Sequence, residues 1–371
     1  MGGIKVVQAT EKRQWKEFVE LPYRLYRADP YWVPPLRLAV KELLNTEKHP
    51  FYANAEMAGF VAQEDDRTVG RIAAILDKNF NRFHEDNIGF FGFLEMIDSQ
   101  PVADALLGAA RQWLEKKQVR AIQGPMSPSS NYECGLLVDG FDSSPYVMMT
   151  YNPPYYAERI ERAGWHKAKD LYAYISSTSA VSEKRVKQVA AHAFKKKGVR
   201  VRSINMKKFD QEVEAVWQIY NSAWQRNWGF VPMTKEEFLA QGKEMKQILV
   251  PDLVLIGEVG DRIVGFALAL PDINEALKPA KGKLFPFGLV KILYYQRLVR
   301  NLRVIALGVV EDYRTAGVAA GFYTALIDNA RRLGYKDSEM SWILEDNVLM
   351  NRSLEALGAK RYKTYRIYEW N

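Results

Sequence analysis

The pattern of apolar and polar positions is most informative in Leu302–Gly334. Apolar and β-branched residues fill Val304–Val310, which predicts a buried strand. A polar turn follows, and apolar residues then recur at helical spacing until Gly334, which predicts a helix that ends at this glycine. A strand that runs through small residues into a helix directs backbone N–H groups and the positive end of the helix dipole at one point. The pattern therefore predicts an anion site in this turn.

Two pairs of segments show that the same order of elements occurs twice. Phe60–Ala73 and Leu255–Leu268 begin 195 positions apart, and each contains an apolar strand, a polar turn with Asp-Arg and a second apolar strand. Ile160–Lys167 and Leu354–Arg361 match in the same order at an offset of 194 positions. Two matches at nearly one offset indicate an internal duplication. We therefore predict an α/β fold (α+β, with a mixed sheet) built from two similar halves.

The length of 371 residues exceeds one typical hydrophobic core and favours two domains. We place the first domain at residues 1–175, a connector at 176–198 and the second domain at 199–371. The connector is rich in serine and then in basic residues, and Val181–Phe194 has helical character. The principal predicted elements are the strand Ile88–Ile97, the helix Val102–Lys116, the strands Val119–Gln123 and Val199–Ile204, the helix Phe209–Tyr220, the hairpin Asp252–Pro271 and the strand Ser338–Leu344.

Composition excludes several classes of protein. The chain is 48% hydrophobic and 26% charged, which is typical of globular proteins. The single cysteine, Cys134, excludes an internal disulfide and a cysteine-based metal cluster. The four histidines form no i, i+4 pair, so we expect no metal site. The first ten residues lack the apolar core of a signal peptide and no apolar run approaches a membrane span, so we expect a cytoplasmic protein.

The formal net charge of +8 favours anionic partners. We expect no nucleic-acid partner, because no base-stacking or groove-reading module is evident. The basic residues are concentrated between Glu275 and Glu311, where no acidic residue occurs and aromatic and aliphatic residues are interleaved. Residues 281–303 therefore predict a basic amphipathic helix suited to an anionic membrane surface. Structural cover for an acyl channel or for a dimer partner is the alternative interpretation.

The turn after Val304–Val310 resembles the acyl-CoA pyrophosphate loop of GNAT-type N-acyltransferases. It reads Arg314-Thr315-Ala316-Gly317-Val318-Ala319, an R-x-x-G-x-A pattern. Asn347 after the next strand, followed by a helix that ends in Leu-Gly, is similar to the second signature of that family. The resemblance covers residues 199–371 and extends weakly to the first half through the duplication. It implies two tandem GNAT-like folds and acetyl-CoA or a longer acyl-CoA as co-substrate, without a metal.

The resemblance also implies which residues contact the co-substrate. The backbone of Leu307 and Val309 would face it, and the loop residues Arg314, Thr315, Ala316, Gly317, Val318 and Ala319 would hold the pyrophosphate. Asn347 and Asn351 would bond the pantetheine amides, and capping of the helix that begins there is their alternative role. Gly308 either marks a bulge that opens an N–H for the oxyanion or relieves packing beside the adjacent strand.

Candidates for proton transfer are less well defined by the pattern. Glu345 and Glu311 follow the two strands of the site and are the candidate bases. Family members often place a tyrosine acid seven residues after the asparagine, where this chain has Leu354. Tyr368 is the catalytic tyrosine that we select in its place, and Tyr323 and Tyr365 are substitutes.

The first half has no R-x-x-G-x-A turn, so we predict one co-substrate site in the whole chain. A long loop in this half is rich in aromatic, proline and small polar residues, which are costly to order unless they pack. We interpret Asn152 and Tyr156 in this loop as residues of an acceptor pocket at a cleft between the halves. A well-packed Ω-like loop without a ligand is the alternative.

A tandem arrangement with one working co-substrate loop is similar to mycothiol synthase and to the FemABX aminoacyltransferases. Bacterial ceramide synthases of this superfamily, which N-acylate a sphingoid amine, are a further resemblance. The expected function is acyl-CoA-dependent transfer of an acetyl or longer acyl group to a primary amine, which includes a lipidic amine at the inner face of the membrane. The alternatives are a non-catalytic acyl-CoA-binding sensor and a FemABX-like aminoacyltransferase.

Overall fold

Strands and helices alternate along the chain in the computed structural model, which describes residues 3–179 and 184–371. The first half contains β1 (Lys5–Gln8), α1 (Lys12–Leu25), α2 (Arg37–Leu43), β2 (Ala55–Glu64), β3 (Arg67–Asp77), α3 (Lys78–His84), β4 (Ile88–Met96), α4 (Gln100–Glu115), β5 (Ala121–Gly124), β6 (Met126–Ser127), β7 (Glu133–Cys134), β8 (Leu136–Asp139), α5 (Tyr155–Arg162) and β9 (His166–Ser177). The second half contains α6 (Lys184–Lys197), β10 (Val199–Ser203), α7 (Phe209–Ala223), α8 (Lys235–Met245), β11 (Val254–Val259), β12 (Arg262–Pro271), α9 (Asn274–Leu277), α10 (Gly288–Gln296), β13 (Asn301–Val309), α11 (Val318–Leu333), β14 (Asp337–Leu344), α12 (Val348–Ala356) and β15 (Lys360–Trp370).

Residue contacts divide the chain into two compact units. Unit 1 comprises Met1–Leu171, Leu277–Leu293 and Lys363–Asn371, and unit 2 comprises Tyr172–Ala276 and Tyr294–Tyr362. The chain therefore crosses between the units within β9, at the end of α9, within α10 and within β15. In the predicted connector, Ser176 and Ser177 end β9 and Lys184–Lys197 form α6, whereas residues 181–183 of the predicted helix lie outside the described residues.

The sheet of unit 1 has the strand order β1-β2-β3-β4-β5-β15. Neighbouring strands are antiparallel except β4 and β5, which are parallel. A parallel pair requires a crossover, and α4 supplies it. Its apolar residues, including Val102, Leu106 and Ala110, are fully buried with Ile72 and Phe91 of the sheet.

The sheet of unit 2 has the strand order β14-β13-β12-β11-β10, with β13 and β14 as the parallel pair and α11 as the crossover. Successive residues of a strand point to opposite faces of a sheet. Leu255 and Ala267 accordingly pack with Phe322 of α11, whereas Ile256 and Phe266 pack with α7 on the opposite face. Both units thus combine parallel and antiparallel strands, and the predicted mixed α/β class is confirmed.

Local irregularities repeat at the offset of the duplication. The hairpin β2–β3 has one extra residue at Val69, and the hairpin β11–β12 has one at Val264, 195 positions later. Gly164 after α5 and Gly358 after α12 lie 194 positions apart, and both have φ 88°. A bulge and a left-handed glycine are specific backbone features, so their recurrence supports the duplication in structural terms.

The predicted helix at 281–303 is wrong at both ends. The helix α10 begins at Gly288 and ends at Gln296, and Asn301 begins β13. Arg303 is almost fully buried and its Nε lies 3.3 Å from Oε2 of Glu339 on β14, with Ser341 bonded to both. Charge alone could not separate this residue from the exposed basic residues before it, because the partner carboxylate lies 36 positions further along the chain.

Candidate active site

The strands β13 and β14 separate beyond Val304. Their parallel pairing joins Asn301–Val304 to Asp337–Met340, although β13 continues to Val309 and β14 continues to Leu344. A register shift between β12 and β13 leaves Ile305 as an extra residue immediately after this pairing stops. A bulge bends the strand that carries it, so Ile305 accounts for the divergence of β13 from β14.

The backbone groups of Leu307 and Val309 point into this divergence. Val310 donates its N–H to the carbonyl of Val264 at 2.9 Å, so this pair is hydrogen-bonded. Bonding alternates along an antiparallel pair, and Gly308 therefore also directs its N–H and C=O towards β12. Leu307 and Val309, between these residues, direct their groups to the opposite side, where β14 has diverged. This is the orientation that the sequence resemblance implied for the two residues.

Gly308 relieves packing, and the expected bulge lies elsewhere. Gly308 is in regular register with Phe266, and the extra residue is Ile305. A Cβ at Gly308 would lie 2.6 Å from the ring of Trp224, at the end of α7. The bulge interpretation of Gly308 is therefore wrong, because the missing side chain makes room for an indole ring. No sequence pattern indicates this contact, which joins residues 84 positions apart.

The turn between β13 and α11 has the backbone geometry of an anion-binding loop. Glu311–Ala316 form a 3-10 turn, and Gly317 has φ 83° and is the N-cap of α11. A left-handed N-cap without a side chain leaves the first N–H groups of the helix accessible to a bulky anion. Arg314 stabilises the turn, since its guanidinium donates to the carbonyls of Val309 at 3.4 Å and Ala223 at 2.8 Å.

Asn347 and Asn351 hold the start of α12. The side chain of Asn347 accepts from the N–H of Met350 at 3.2 Å. Asn351 donates to the carbonyls of Leu344 and Glu345 and accepts from the hydroxyl of Tyr174 at 3.0 Å. Asn347 thus caps α12, and Asn351 ties the helix to the end of β14. A role of either residue in binding pantetheine stays a prediction.

The candidate proton-transfer residues lie in different surroundings. Glu311 is exposed and forms an ion pair with Arg226 at 3.0 Å. Glu345 is half-buried and follows β14 directly, at the end where β13 and β14 diverge. Tyr368 is fully buried in the core of unit 1, where its hydroxyl donates to Glu161 at 2.9 Å and desolvation by burial raises its pKa. Of the three, Glu345 has the position closest to the diverging strands along the chain.

Leu354 occupies the position of the tyrosine acid in the family pattern and is buried in an apolar cluster with Tyr174 and Ala359. Tyr323 lies on α11, with its hydroxyl 3.3 Å from Sδ of Met350 on α12. Desolvation by burial raises the pKa of Tyr323 to about 12, so its hydroxyl stays protonated at neutral pH. Tyr323 therefore retains the proton that an acid in this part of unit 2 would need.

The equivalent place in unit 1 is filled by its own side chains. Met96 pairs with Gly70 as Val309 pairs with Gly265, and Ile97 bonds Val69 as Val310 bonds Val264. Here the N–H of Met96 donates to the hydroxyl of Tyr156 at 2.7 Å, and its carbonyl accepts from Tyr155 at 2.7 Å. The N–H of Phe93 donates to Ser127 Oγ at 2.9 Å. These contacts consume the backbone groups that unit 2 directs into its divergence.

Asn152 and Tyr156 are buried in unit 1. Asn152 bonds both the N–H and the carbonyl of Leu137. The hydroxyl of Tyr156 also contacts Glu95 at 2.9 Å, and desolvation by burial raises the pKa of Tyr156 and of Glu95. Asn152 makes the internal contacts of a packed loop, whereas Tyr156 lies in the first turn of α5 and not in the expected loop. Their role in acceptor binding stays a prediction.

Among residues 3–179 and 184–371, no group of three or more His, Cys, Asp or Glu side chains is arranged to hold a metal ion. Within the same residues, no helix combines the length and the apolar character that crossing a bilayer requires.

Two characterised or named proteins are similar to the chain over nearly its whole length. Protein YghO of Escherichia coli (strain K12) is 38% identical over 365 residues, which covers 96% of this chain and 93% of that protein. The bacterial ceramide synthase of Caulobacter vibrioides (strain NA1000 / CB15N) is 36% identical over 377 residues, which covers 99% of this chain and 97% of that protein. No protein-family model matches the sequence.

Solved structures with the same fold are tandem or GCN5-related N-acetyltransferases. A tandem GNAT protein from the clavulanic acid biosynthesis pathway has a TM-score of 0.59 at 12% identity and covers 99% of this chain and 98% of its own. The GCN5-related glucosamine N-acetyltransferase region of a fungal GH3 β-N-acetylglucosaminidase also has a TM-score of 0.59, at 13% identity, and the match spans 38% of that longer chain. The predicted pair of GNAT folds is confirmed.

Proposed function

We propose that this chain, which belongs to the family that includes Protein YghO and the bacterial ceramide synthase, is an acyl-CoA-dependent N-acyltransferase whose acceptor is a lipidic primary amine. The observation that carries the proposal is the divergence of β13 from β14 beside the turn at Gly317. It combines the inward-facing backbone groups of Leu307 and Val309 with a helix N-terminus that has no side-chain cap. A pantetheine arm carries amides and ends in a pyrophosphate, so one strand edge and one helix end match its two polar parts.

The chemistry requires few catalytic groups. Acyl-CoA supplies an activated thioester. The amine nitrogen forms the new C–N bond at the carbonyl carbon of the thioester. The C–S bond breaks, and the sulfur leaves as thiolate or thiol. A backbone N–H at Leu307 or Val309 would stabilise the oxyanion. Glu345 is the proposed base that takes the ammonium proton, and Glu311 is the alternative. The hydroxyl of Tyr323 would return a proton to the sulfur. Tyr368 is buried in the core of unit 1, so any effect of this residue on the reaction would be exerted through the structure of that unit.

A lipidic acceptor is supported by the relative named a bacterial ceramide synthase, since a ceramide is the N-acyl product of a long-chain amino alcohol. Both that amine and a long-chain acyl donor partition into bilayers. The proposal therefore includes a peripheral location at the inner membrane face. Asn152 and Tyr156 remain the proposed acceptor-side residues, although their contacts within unit 1 mean that they would act by shaping the loop.

The proposal is tested by release of free thiol from acyl-CoA. The purified chain is mixed with acetyl-CoA or palmitoyl-CoA and with a short amine or a long-chain sphingoid base in detergent micelles. We expect thiol release and an amide product, identified by mass spectrometry, with palmitoyl-CoA and the sphingoid base. The variant Glu345→Gln should lower kcat, because it removes the proposed base, whereas Glu311→Gln should leave kcat unchanged.

Three other outcomes would change the proposed function. Calorimetric binding of CoA with no thiol release for any acceptor would overturn the enzymatic proposal and favour a sensor. Transfer from aminoacyl-tRNA in place of acyl-CoA would favour the FemABX-like reaction. Acetyl transfer to short amines alone would retain the reaction and remove the lipidic acceptor.

A further inference from the structure

The segment from Lys281 to Arg300, called here the 281–300 segment, exposes large apolar side chains to solvent. Phe285 is 78% exposed, Phe287 70%, Val290 64% and Tyr294 61%. Leu289, Leu293, Tyr295 and Leu298 are exposed as well. Isolated exposed apolar residues are ordinary, but eight within fourteen consecutive positions are a concentration, called here the apolar patch, that marks an interaction surface.

The helix α10 within this segment is not divided into a buried apolar face and an exposed charged face. Of its nine residues only Lys291 is charged, and only Gly288 is buried. A surface helix of a globular protein normally buries one apolar stripe and turns charged residues outwards. The longer helices α4 and α11 do so. The apolar residues of α10 are therefore not explained by the core of the protein.

The base of the segment is fixed to unit 1. The guanidinium of Arg37 donates to the carbonyls of Lys281 at 3.2 Å and Gly282 at 3.3 Å, and it is held by Glu20 at 2.7 Å. Gly282 has φ 72°, and a Cβ there would lie 2.7 Å from the carbonyl oxygen of Pro35. The exposed aromatic residues thus project from an anchored turn, and this gives a role to the proline-rich stretch before Arg37.

Charge selects the partner. The exposed basic residues Lys281, Lys283, Lys291, Arg297 and Arg300 frame the apolar patch, and no acidic residue occurs between Glu275 and Glu311. A symmetric contact with a second copy of the chain would bring these like charges together without a carboxylate from the segment to neutralise them. An anionic lipid surface neutralises them and accepts the apolar side chains at the same time.

We propose that the 281–300 segment is a membrane-docking surface that lies in the interface of an anionic bilayer. The nine residues of α10 span about 14 Å, which is too short to cross a hydrocarbon core of about 30 Å. The phenylalanines and leucines enter the acyl boundary, the tyrosines lie at the headgroup level, and the lysine and arginine heads reach the phosphates. This surface goes beyond the proposed reaction, since docking does not depend on turnover.

The test is flotation of the full chain with vesicles of phosphatidylcholine alone or with phosphatidylglycerol added. We expect flotation only with the anionic vesicles and its loss in high salt. The pair Lys283→Gln and Lys291→Gln should weaken partitioning about 25-fold, a factor of about five for each charge. The pair Phe285→Ser and Phe287→Ser should abolish it. Matched controls are Lys5→Gln with Lys116→Gln, and Phe83→Ser, which change exposed residues elsewhere in unit 1 and should float like the parent.

Circular dichroism checks that the parent and each variant are folded, and light scattering detects association of the chain. Failure of the folded parent chain to float with anionic vesicles at low salt overturns the proposal, as does undiminished flotation of the double-serine variant. A concentration-dependent dimer that the serine pair removes would assign the surface to a second copy. Thiol release in micelles is measured separately, so loss of docking and loss of the reaction are distinguishable.

Discussion

Gly317 and Gly334 hold the two ends of α11 in the same left-handed conformation, with φ 83° and 82°. A β-carbon in this region costs roughly 1–2 kcal/mol, so alanine at either position should lower the free energy of unfolding by a similar amount. Only Gly317 faces the proposed pyrophosphate. We predict that Gly317→Ala weakens CoA binding at least about tenfold, because the added methyl group and the relaxed backbone move N–H groups away from the anion.

Gly334→Ala is the matched control for this change. Calorimetry with CoA and thermal unfolding of both variants separate binding from stability. Equal losses of CoA affinity in the two variants would mean that α11 responds as a whole, and the loop at Gly317 would lose its assignment.

Single residues were predictable from the sequence only where their surroundings are local. The position of Gly317 at the start of α11 was predictable because strand, turn and helix are adjacent in the chain. The inward orientation of Leu307 was implied by family resemblance alone, since it depends on the register between β12 and β13. The pairing of Arg303 with Glu339 and of Gly308 with Trp224 depends on tertiary packing between distant residues. No periodicity in the sequence encodes such contacts.

At the scale of elements, the contact between α7 and β13 fixes the side of the strand opposite α11. Trp224 packs against Gly308, and Arg314 bonds the carbonyl of Ala223 next to it. We predict that Gly308→Ala displaces the indole and with it the end of α7, which costs about 1–3 kcal/mol of stability. Because Gly308 lies between Leu307 and Val309, turnover should fall about tenfold or more in a protein that remains folded.

Gly59→Ala tests whether this loss is specific to the site. A Cβ at Gly59 would lie 2.8 Å from the ring of Trp15 in unit 1, so it crowds an indole ring to a similar degree away from β13. We expect a comparable drop in melting temperature with much less effect on kcat. If both variants lose turnover in proportion to stability, the contact of Trp224 with Gly308 is structural only.

The bounds of helices and strands were more predictable than the pairing and packing between them. The helix α11 ends at Gly334 as predicted, and β14 and α7 lie within a few residues of the expected bounds. The end of α10 was misplaced because basic and apolar residues continue unchanged into β13. Helical periodicity of charge does not reveal that Arg303 enters the sheet, whereas strand pairing with β14 decides it.

At the scale of the whole molecule, the duplication produced two copies of one architecture with different fates. Unit 2 keeps the diverging strands and the left-handed glycine before α11. In unit 1, α4 follows β4 through residues 97–99, and the hydroxyls of Tyr155, Tyr156 and Ser127 bond the backbone of β4. These side chains would have to leave before a pantetheine arm could bond the same groups.

We therefore predict that one acyl-CoA binds per chain. Isothermal titration with CoA should give a stoichiometry of about one for the parent chain, and Gly317→Ala should abolish or weaken that single event without revealing a second. The pair Tyr155→Phe and Tyr156→Phe removes the two hydroxyls that occupy β4 and should leave the stoichiometry at one, because unit 1 still lacks a pyrophosphate turn. The opposite result is a stoichiometry of two for the parent chain, with one binding event unaffected by the Gly317 substitution. It would show that unit 1 has kept a co-substrate site and would contradict the prediction of a single site in unit 2.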